Sequence, residues 1–236
     1  MRPTLVCLHG WGGSKESFTQ LREALKNDDL IILTPDLPGF GEEKEPTKPW
    51  TVGDYATWVE HYLKDQKIER LFLLGHSHGG RIAIELACRH SVPIEHLFLC
   101  AAAGIKHARH IKRAVGLTLA KSGKFFLSIP GLQTLQPIGK KLLYKLVRVH
   151  DYEKASPLMR QTLINVTQED LRPLLAHIDI PTDLFWGKQD GMTPFSDALI
   201  MEKEIPRAVL HAFDNVRHGV HRDKADAIAT TIRSFL

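Results

Sequence analysis

Ser77 stands between two histidines and ahead of two glycines in F-L-L-G-H-S-H-G-G, residues 72–80. A serine hydroxyl is a poor nucleophile at neutral pH and needs an adjacent base to lose its proton. Further along, the chain offers the other groups such a set requires. Asp190 lies in F-W-G-K-Q-D-G-M-T-P, and His218 and His221 lie in D-N-V-R-H-G-V-H. Asp36, in D-L-P-G-F-G, and Asp214, four residues before His218, are rival acids. Gly75-His76-Ser77-His78-Gly79 fits G-x-S-x-G, in which the serine sits at the tip of a strained strand-to-helix turn. Small residues are needed there because the two backbones nearly touch. Three fixed positions in five also arise by chance, and a serine before a helix can be a plain cap. Context must decide.

The context is an alternation of short apolar runs and amphipathic segments. Thr4–Leu8, Leu30–Thr34, Leu71–Leu74, His96–Cys100, Thr182–Trp186 and Val209–Phe213 read as buried strands. Phe18–Lys26, Thr51–Gln66, Gly79–Arg89, Phe195–Glu204 and Lys224–Phe235 read as helices; in the second, Tyr55, Val59, Tyr62 and Leu63 recur at helical spacing. Such alternation implies a mostly parallel α/β sheet with helices on both faces. From Gly104 to Asp170 no strand is legible, only helix-like pattern broken at Gly123, Pro130-Gly131, Pro137 and Pro157. We read residues 104–170 as a helical cap inserted into a core of residues 1–103 and 171–236. Ligands of such sheets bind beyond the carboxyl ends of the strands. His9-Gly10-Trp11-Gly12-Gly13 follows the first strand, Asp36 the second, Ser77 the third, Asp190 the fifth and His218 the sixth. Serine, acid and histidine thus fall on one edge.

Here the chain resembles the α/β-hydrolases, of the capped, single-domain serine esterase type, over nearly its whole length. H-G-W-G-G, D-L-P-G-F-G, G-H-S-H-G-G-R-I-A and I-P-T-D-L-F-W-G-K-Q-D stand in the family's order and approximate spacing. The resemblance implies Ser77 as nucleophile, His218 as base and Asp190 as the acid that fixes the histidine's tautomer. It implies an oxyanion hole from the backbone N–H groups of Trp11 and His78, with Gly12 and Gly13 letting their loop approach substrate. His9 is expected to brace loop backbone, and His221 to begin the last helix. The family usually opens with a two-strand hairpin, absent here, so about six strands are expected. H-G-W-G and D-L-P-G-F-G also resemble the carboxylesterase that releases pimeloyl methyl ester from its carrier protein. Arg81, four residues after Ser77, resembles an anion-binding arginine of the menaquinone-pathway lyase that makes a cyclohexadiene carboxylate. Hydrolysis of a small-to-medium carboxylic ester or thioester is the expectation; the lyase and a catalytically silent binding module are the alternatives.

Composition excludes several classes. No apolar stretch approaches the ~20 residues of a membrane span, and the apolar run at the start is too short for a signal peptide. Cys7, Cys88 and Cys100 are odd in number and lie in apolar segments, which suggests reduced thiols and a cytoplasmic protein. Thirteen histidines include the pairs His76/His78, His107/His110 and His218/His221, but no Cys or carboxylate cluster completes a metal site, and no cofactor is implied. The formal charge of +4 is unevenly spread. Residues 104–170 hold twelve Lys and Arg, among them Lys112, Arg113, Lys140 and Lys141, against four acids. Such a cap could solvate itself, or attract an acidic acyl carrier protein, an anionic substrate or an anionic lipid surface. No nucleic-acid motif accompanies the charge.

Overall fold

A computed structural model describes residues 2–106 and 155–236, apart from 65, 67 and 69. Six strands form one sheet: β1 Thr4–Leu8, β2 Ile31–Leu33, β3 Leu71–His76, β4 Ile94–Cys100, β5 Thr182–Gly187 and β6 Ala208–Phe213. Their order is β2-β1-β3-β4-β5-β6, and every pairing is parallel. β1, β3 and β5 are buried along their full length, β5 including Asp183, whose carboxylate is met by His96 and His211, whereas β2 and β6 are edges with mixed burial. β3 runs two residues beyond its expected end. Gly75 and His76 keep pairing, with Leu99 and Cys100, before the chain turns.

The described helices are α1 Thr19–Ala24, α2 Val52–Lys64, α3 His78–Arg89, α4 Pro157–Gln168, α5 Phe195–Glu204, α6 Val220–Asp223 and α7 Ala225–Arg233. In α2, Val52, Tyr55, Ala56, Val59 and Leu63 are the buried positions, one stripe of a helix facing the sheet. The last helix, α7, starts one residue after its expected beginning at Lys224, and His221 lies ahead of it in the short, separate α6 rather than at its start. Pro157 begins a helix instead of breaking one. Ser156 caps α4 by accepting the Met159 N–H at 3.1 Å, and proline is well suited to the first turn. Most of the basic cap, including Lys112, Arg113, Lys140 and Lys141, lies outside the described residues. The two ends of that insertion meet: Leu171 N–H donates to the Gly104 carbonyl at 2.9 Å. No helix among the described residues is long and apolar enough to cross a membrane.

The sheet order reverses between β1 and β3, because the chain steps outward to β2 and returns on the other side. A crevice opens at such a switch point, beyond the carboxyl ends of the strands. The loop after β1 and the turn after β3 both border it.

Candidate active site

The turn from β3 into α3 forces Ser77 into φ 52°, ψ −110°, a region that side chains other than glycine rarely occupy. The surroundings hold it there. Ser77 N–H donates to the Cys100 carbonyl at 3.2 Å, and its own carbonyl accepts from Gly80 and Ala103 N–H, each at 3.0 Å. A Cβ on Gly79 would lie 2.0 Å from the Leu8 carbonyl oxygen, and one on Gly75 2.5 Å from that of Gly79. No side chain fits at either place, which is the physical content of G-x-S-x-G. Backbone strain of this kind costs about 1–3 kcal/mol and persists only where packing over-determines it. The plain helix-cap reading of Ser77 fails, since its side chain makes no cap hydrogen bond.

The hydroxyl meets the sixth-strand loop instead. His218 Nε2 lies 2.9 Å from Ser77 Oγ, and His218 Nδ1 lies 2.8 Å from Asp190 Oδ2. The acid and base loops are joined backbone to backbone: Gln189 N–H donates to Val216 O at 3.0 Å, and Lys188 N–H to Phe213 O at 2.9 Å. The Asp190 side chain is wholly buried, while that of His218 remains 17% exposed. Burial alone would raise the Asp190 pKa. The hydrogen bond and charge of His218, with donors from Met192 and Thr193, outweigh it and hold the carboxyl below its ordinary range. Asp190 stays ionised at neutral pH.

Thr193 is a member that sequence reasoning missed. Its N–H reaches Asp190 Oδ1 at 3.0 Å, and its Oγ1 lies 2.8 Å from Asp190 Oδ2 and 3.1 Å from the Ala101 carbonyl. No local signal marks it: the turn that folds Thr193 back onto Asp190, three residues earlier, also needs Ala101 from a distant part of the chain to take its hydroxyl. His76 stands out in the sequence only as one of a close pair. Its Nε2 lies 3.0 Å from the His218 carbonyl, so its N–H anchors the main chain of the base, and its ring packs, tilted by 36°, against His221 with centroids 3.7 Å apart.

The rival acids are engaged elsewhere. Asp36 accepts from Lys15 N–H at 2.6 Å and Glu42 N–H at 2.9 Å, a turn-forming role. Asp214 is exposed and pairs with Lys188 at 2.9 Å. His9 accepts the Leu37 N–H on Nε2 at 2.9 Å, so its Nδ1 carries the proton and donates to Gly10 O at 2.8 Å. Trp11 packs edge-on against Phe40 and His78, with centroids 4.9 and 5.4 Å away. This brings together the two residues expected to supply oxyanion donors, and His78, first in α3, has an N–H with no intrahelical acceptor. Gly12 takes φ 74° and is exposed. Gly13 faces its own loop: a Cβ there would lie 2.8 Å from Ser17 Oγ. Buried Arg81 donates to the Glu169 carbonyl at 3.0 Å. All three cysteines are free; Cys7 and Cys100 are buried, but Cys88 is only partly so.

The Alpha/beta hydrolase family model matches residues 5–231. The chain belongs to that family. It is 31% identical over 213 residues to the pimeloyl-[acyl-carrier protein] methyl ester esterase of Shewanella sp. (strain MR-7), covering 81% of this chain and 75% of that one. Among solved structures, an esterase from Exiguobacterium antarcticum superposes with a TM-score of 0.76 at 23% identity, over 99% of this chain and 91% of that one. MenH from S. aureus superposes at 0.73 with 25% identity, covering 100% and 94%. Family and relatives together support a hydrolase.

Proposed function

We propose that this family member is a serine hydrolase of small-to-medium carboxylic esters or thioesters. The observation that carries the reading is the continuous run Ser77 Oγ, His218 Nε2, His218 Nδ1, Asp190 Oδ2, with links of 2.9 and 2.8 Å. Ser77 Oγ attacks the ester carbonyl carbon as His218 Nε2 takes its proton. The carbonyl oxygen becomes an oxyanion held by the N–H groups of Trp11 and His78, a donor pair of the kind worth ~10²-fold or more in rate. The carbon–oxygen bond to the leaving group then breaks, and His218 delivers the proton to the departing alcohol. A water molecule, deprotonated by His218, attacks the acyl-serine, releases the acid and returns the proton to Ser77. Asp190, ionised and buried, stabilises the imidazolium in both halves.

We read residues 104–170 as the cap over this site. The charge of that stretch, and the likeness to an esterase named for an acyl-carrier substrate, support an acidic carrier as the donor of the acyl group. The lyase alternative asks Arg81 to hold an anion, but its buried guanidinium donates to the Glu169 carbonyl and already has the charges of Glu169, Asp170 and Asp197 about it, which favours hydrolysis. The binding-module alternative is disfavoured by an intact nucleophile, base and acid. Purified chain should hydrolyse p-nitrophenyl butyrate, and Ser77→Ala should reduce kcat by about 10⁵-fold or more with its melting temperature nearly unchanged. Undiminished turnover in the variant refutes the reading.

A further inference from the structure

Among the described residues, His78, next to Ser77, has a buried side chain with both ring nitrogens left over. Its ring is buried, and neither Nδ1 nor Nε2 has a hydrogen-bond partner among the described residues. The ring lies edge-on to Tyr55 and Trp11, with centroids 4.9 and 5.4 Å away. The Tyr55 hydroxyl is occupied, donating to the Pro38 carbonyl at 3.0 Å. Arg81, one turn along α3, can only donate, and it donates to Glu169. Burial, reinforced by the charges of Arg81 and His9, pushes the His78 pKa down to about 3. The ring is therefore neutral under working conditions, with one N–H and one bare nitrogen. An N–H aimed at an aromatic face recovers part of what it has lost, yet the bare nitrogen stays unmatched. A buried group left so costs about 1–3 kcal/mol, and its presence in a native fold calls for a partner.

We propose that the His78 side chain is a specificity-determining group that hydrogen-bonds a neutral oxygen, hydroxyl or oxo, on the acyl chain of the substrate. This rests on the serine esterase reading. There the His78 backbone holds the oxygen of the scissile carbonyl, so its side chain reaches acyl atoms only a few bonds away, at the α- or β-carbon. A carboxylate on the acyl group does not suit the place. A buried anion needs a compensating charge; the imidazole supplies none, and Arg81 is already surrounded by Glu169, Asp170 and Asp197. A hydroxyl or ketone needs only the hydrogen bond. An unsubstituted alkyl chain would leave His78 unsatisfied, and that penalty separates the two classes of substrate.

The test is a ratio of kcat/KM values for matched esters, measured by pH-stat titration on the full chain. Ethyl β-hydroxybutyrate is set against ethyl butyrate, and methyl lactate against methyl propionate. The wild type should favour the hydroxy ester of one pair or both by about tenfold, the worth of one buried hydrogen bond. His78→Leu should collapse the ratio to about one, whereas His78→Gln, with a donor and an acceptor, should keep most of it. Because both esters meet the same protein, a partly misfolded variant leaves the ratio intact. Wild-type ratios near one in both pairs, or a preference that survives His78→Leu, would overturn the proposal while leaving ester hydrolysis standing. No turnover of any of the four, with no phosphonate adduct at Ser77, would remove the esterase reading and this inference with it.

Discussion

Replacing Asp190 by asparagine exchanges a single oxygen for an NH₂, and the hydrogen bonds around the carboxylate dictate the consequence. The carboxylate has four donors: Met192 and Thr193 N–H at 2.7 and 3.0 Å on Oδ1, and His218 Nδ1 and Thr193 Oγ1, each at 2.8 Å, on Oδ2. An amide has one oxygen. Turned one way, its NH₂ would oppose two backbone N–H donors that cannot rotate, so the oxygen must occupy the Oδ1 position. The NH₂ then faces His218 and Thr193. Thr193 adapts by accepting from it and donating to Ala101 O, 3.1 Å away. His218 adapts only by giving up the proton on Nδ1, which moves it to Nε2, opposite Ser77. The base then holds a proton where it must accept one. The expected loss in kcat is about 10⁴-fold, or ~5.5 kcal/mol. The fold keeps most of its contacts, so Tm should fall by only about 2–4 °C. Stopped-flow hydrolysis of p-nitrophenyl butyrate, with a thermal melt, reads both. A variant within tenfold of wild type would refute the tautomer argument, as would an equal loss in Asp214→Asn.

The same geometry sets two further outcomes. Thr193→Val removes a hydroxyl from Asp190 and from Ala101; kcat should fall roughly tenfold, about one hydrogen bond to a charged group, and an unchanged steady-state rate would show Thr193 to be idle. Stability should decline on mild acidification. Burial holds His78 and His221 at about 3 against an ordinary 6.5, so as pH falls below 6.5 the unfolded chain takes up protons that the folded one refuses. Each histidine then costs about 1.4 kcal/mol per pH unit, or ~4 kcal/mol for the pair at about pH 5. Urea midpoints at pH 7 and 5 measure this; equal midpoints would mean that the rings are not held neutral by the fold.

The parts of this molecule that are legible in its sequence are those written into contiguous residues. β1 over Thr4–Leu8 and α5 over Phe195–Glu204 have the expected bounds, because a buried run and an amphipathic stripe are local patterns. The parallel sheet comes from the alternation of such patterns, and Ser77, Asp190 and His218 from their places after the third, fifth and sixth strands. The hidden features depend on distant parts of the chain or on the folded shape of a loop. Thr193 lies in a loop whose composition says only turn. The separate short helix α6, which takes His221 away from the start of α7, exists because the chain leaves helical geometry at Lys224 (φ −129°, ψ 31°), a break that no local pattern marks. Pro157 reads as an interruption because its meaning turns on Ser156, whose side chain caps the helix that the proline opens. Gly13 reads as a residue approaching substrate; its closest neighbour is Ser17, a contact visible only once the loop is folded.

The central claim is that Ser77 carries a hydroxyl activated by His218. Intact-mass spectrometry after treatment with an alkyl fluorophosphonate tests it most directly. Wild-type chain should gain one phosphonyl group, mapped by peptide fragmentation to Ser77. Ser77→Ala should gain none, and His218→Ala should react at least about 10³-fold more slowly. An adduct on another residue, or equal labelling rates in wild type and His218→Ala, would contradict the account.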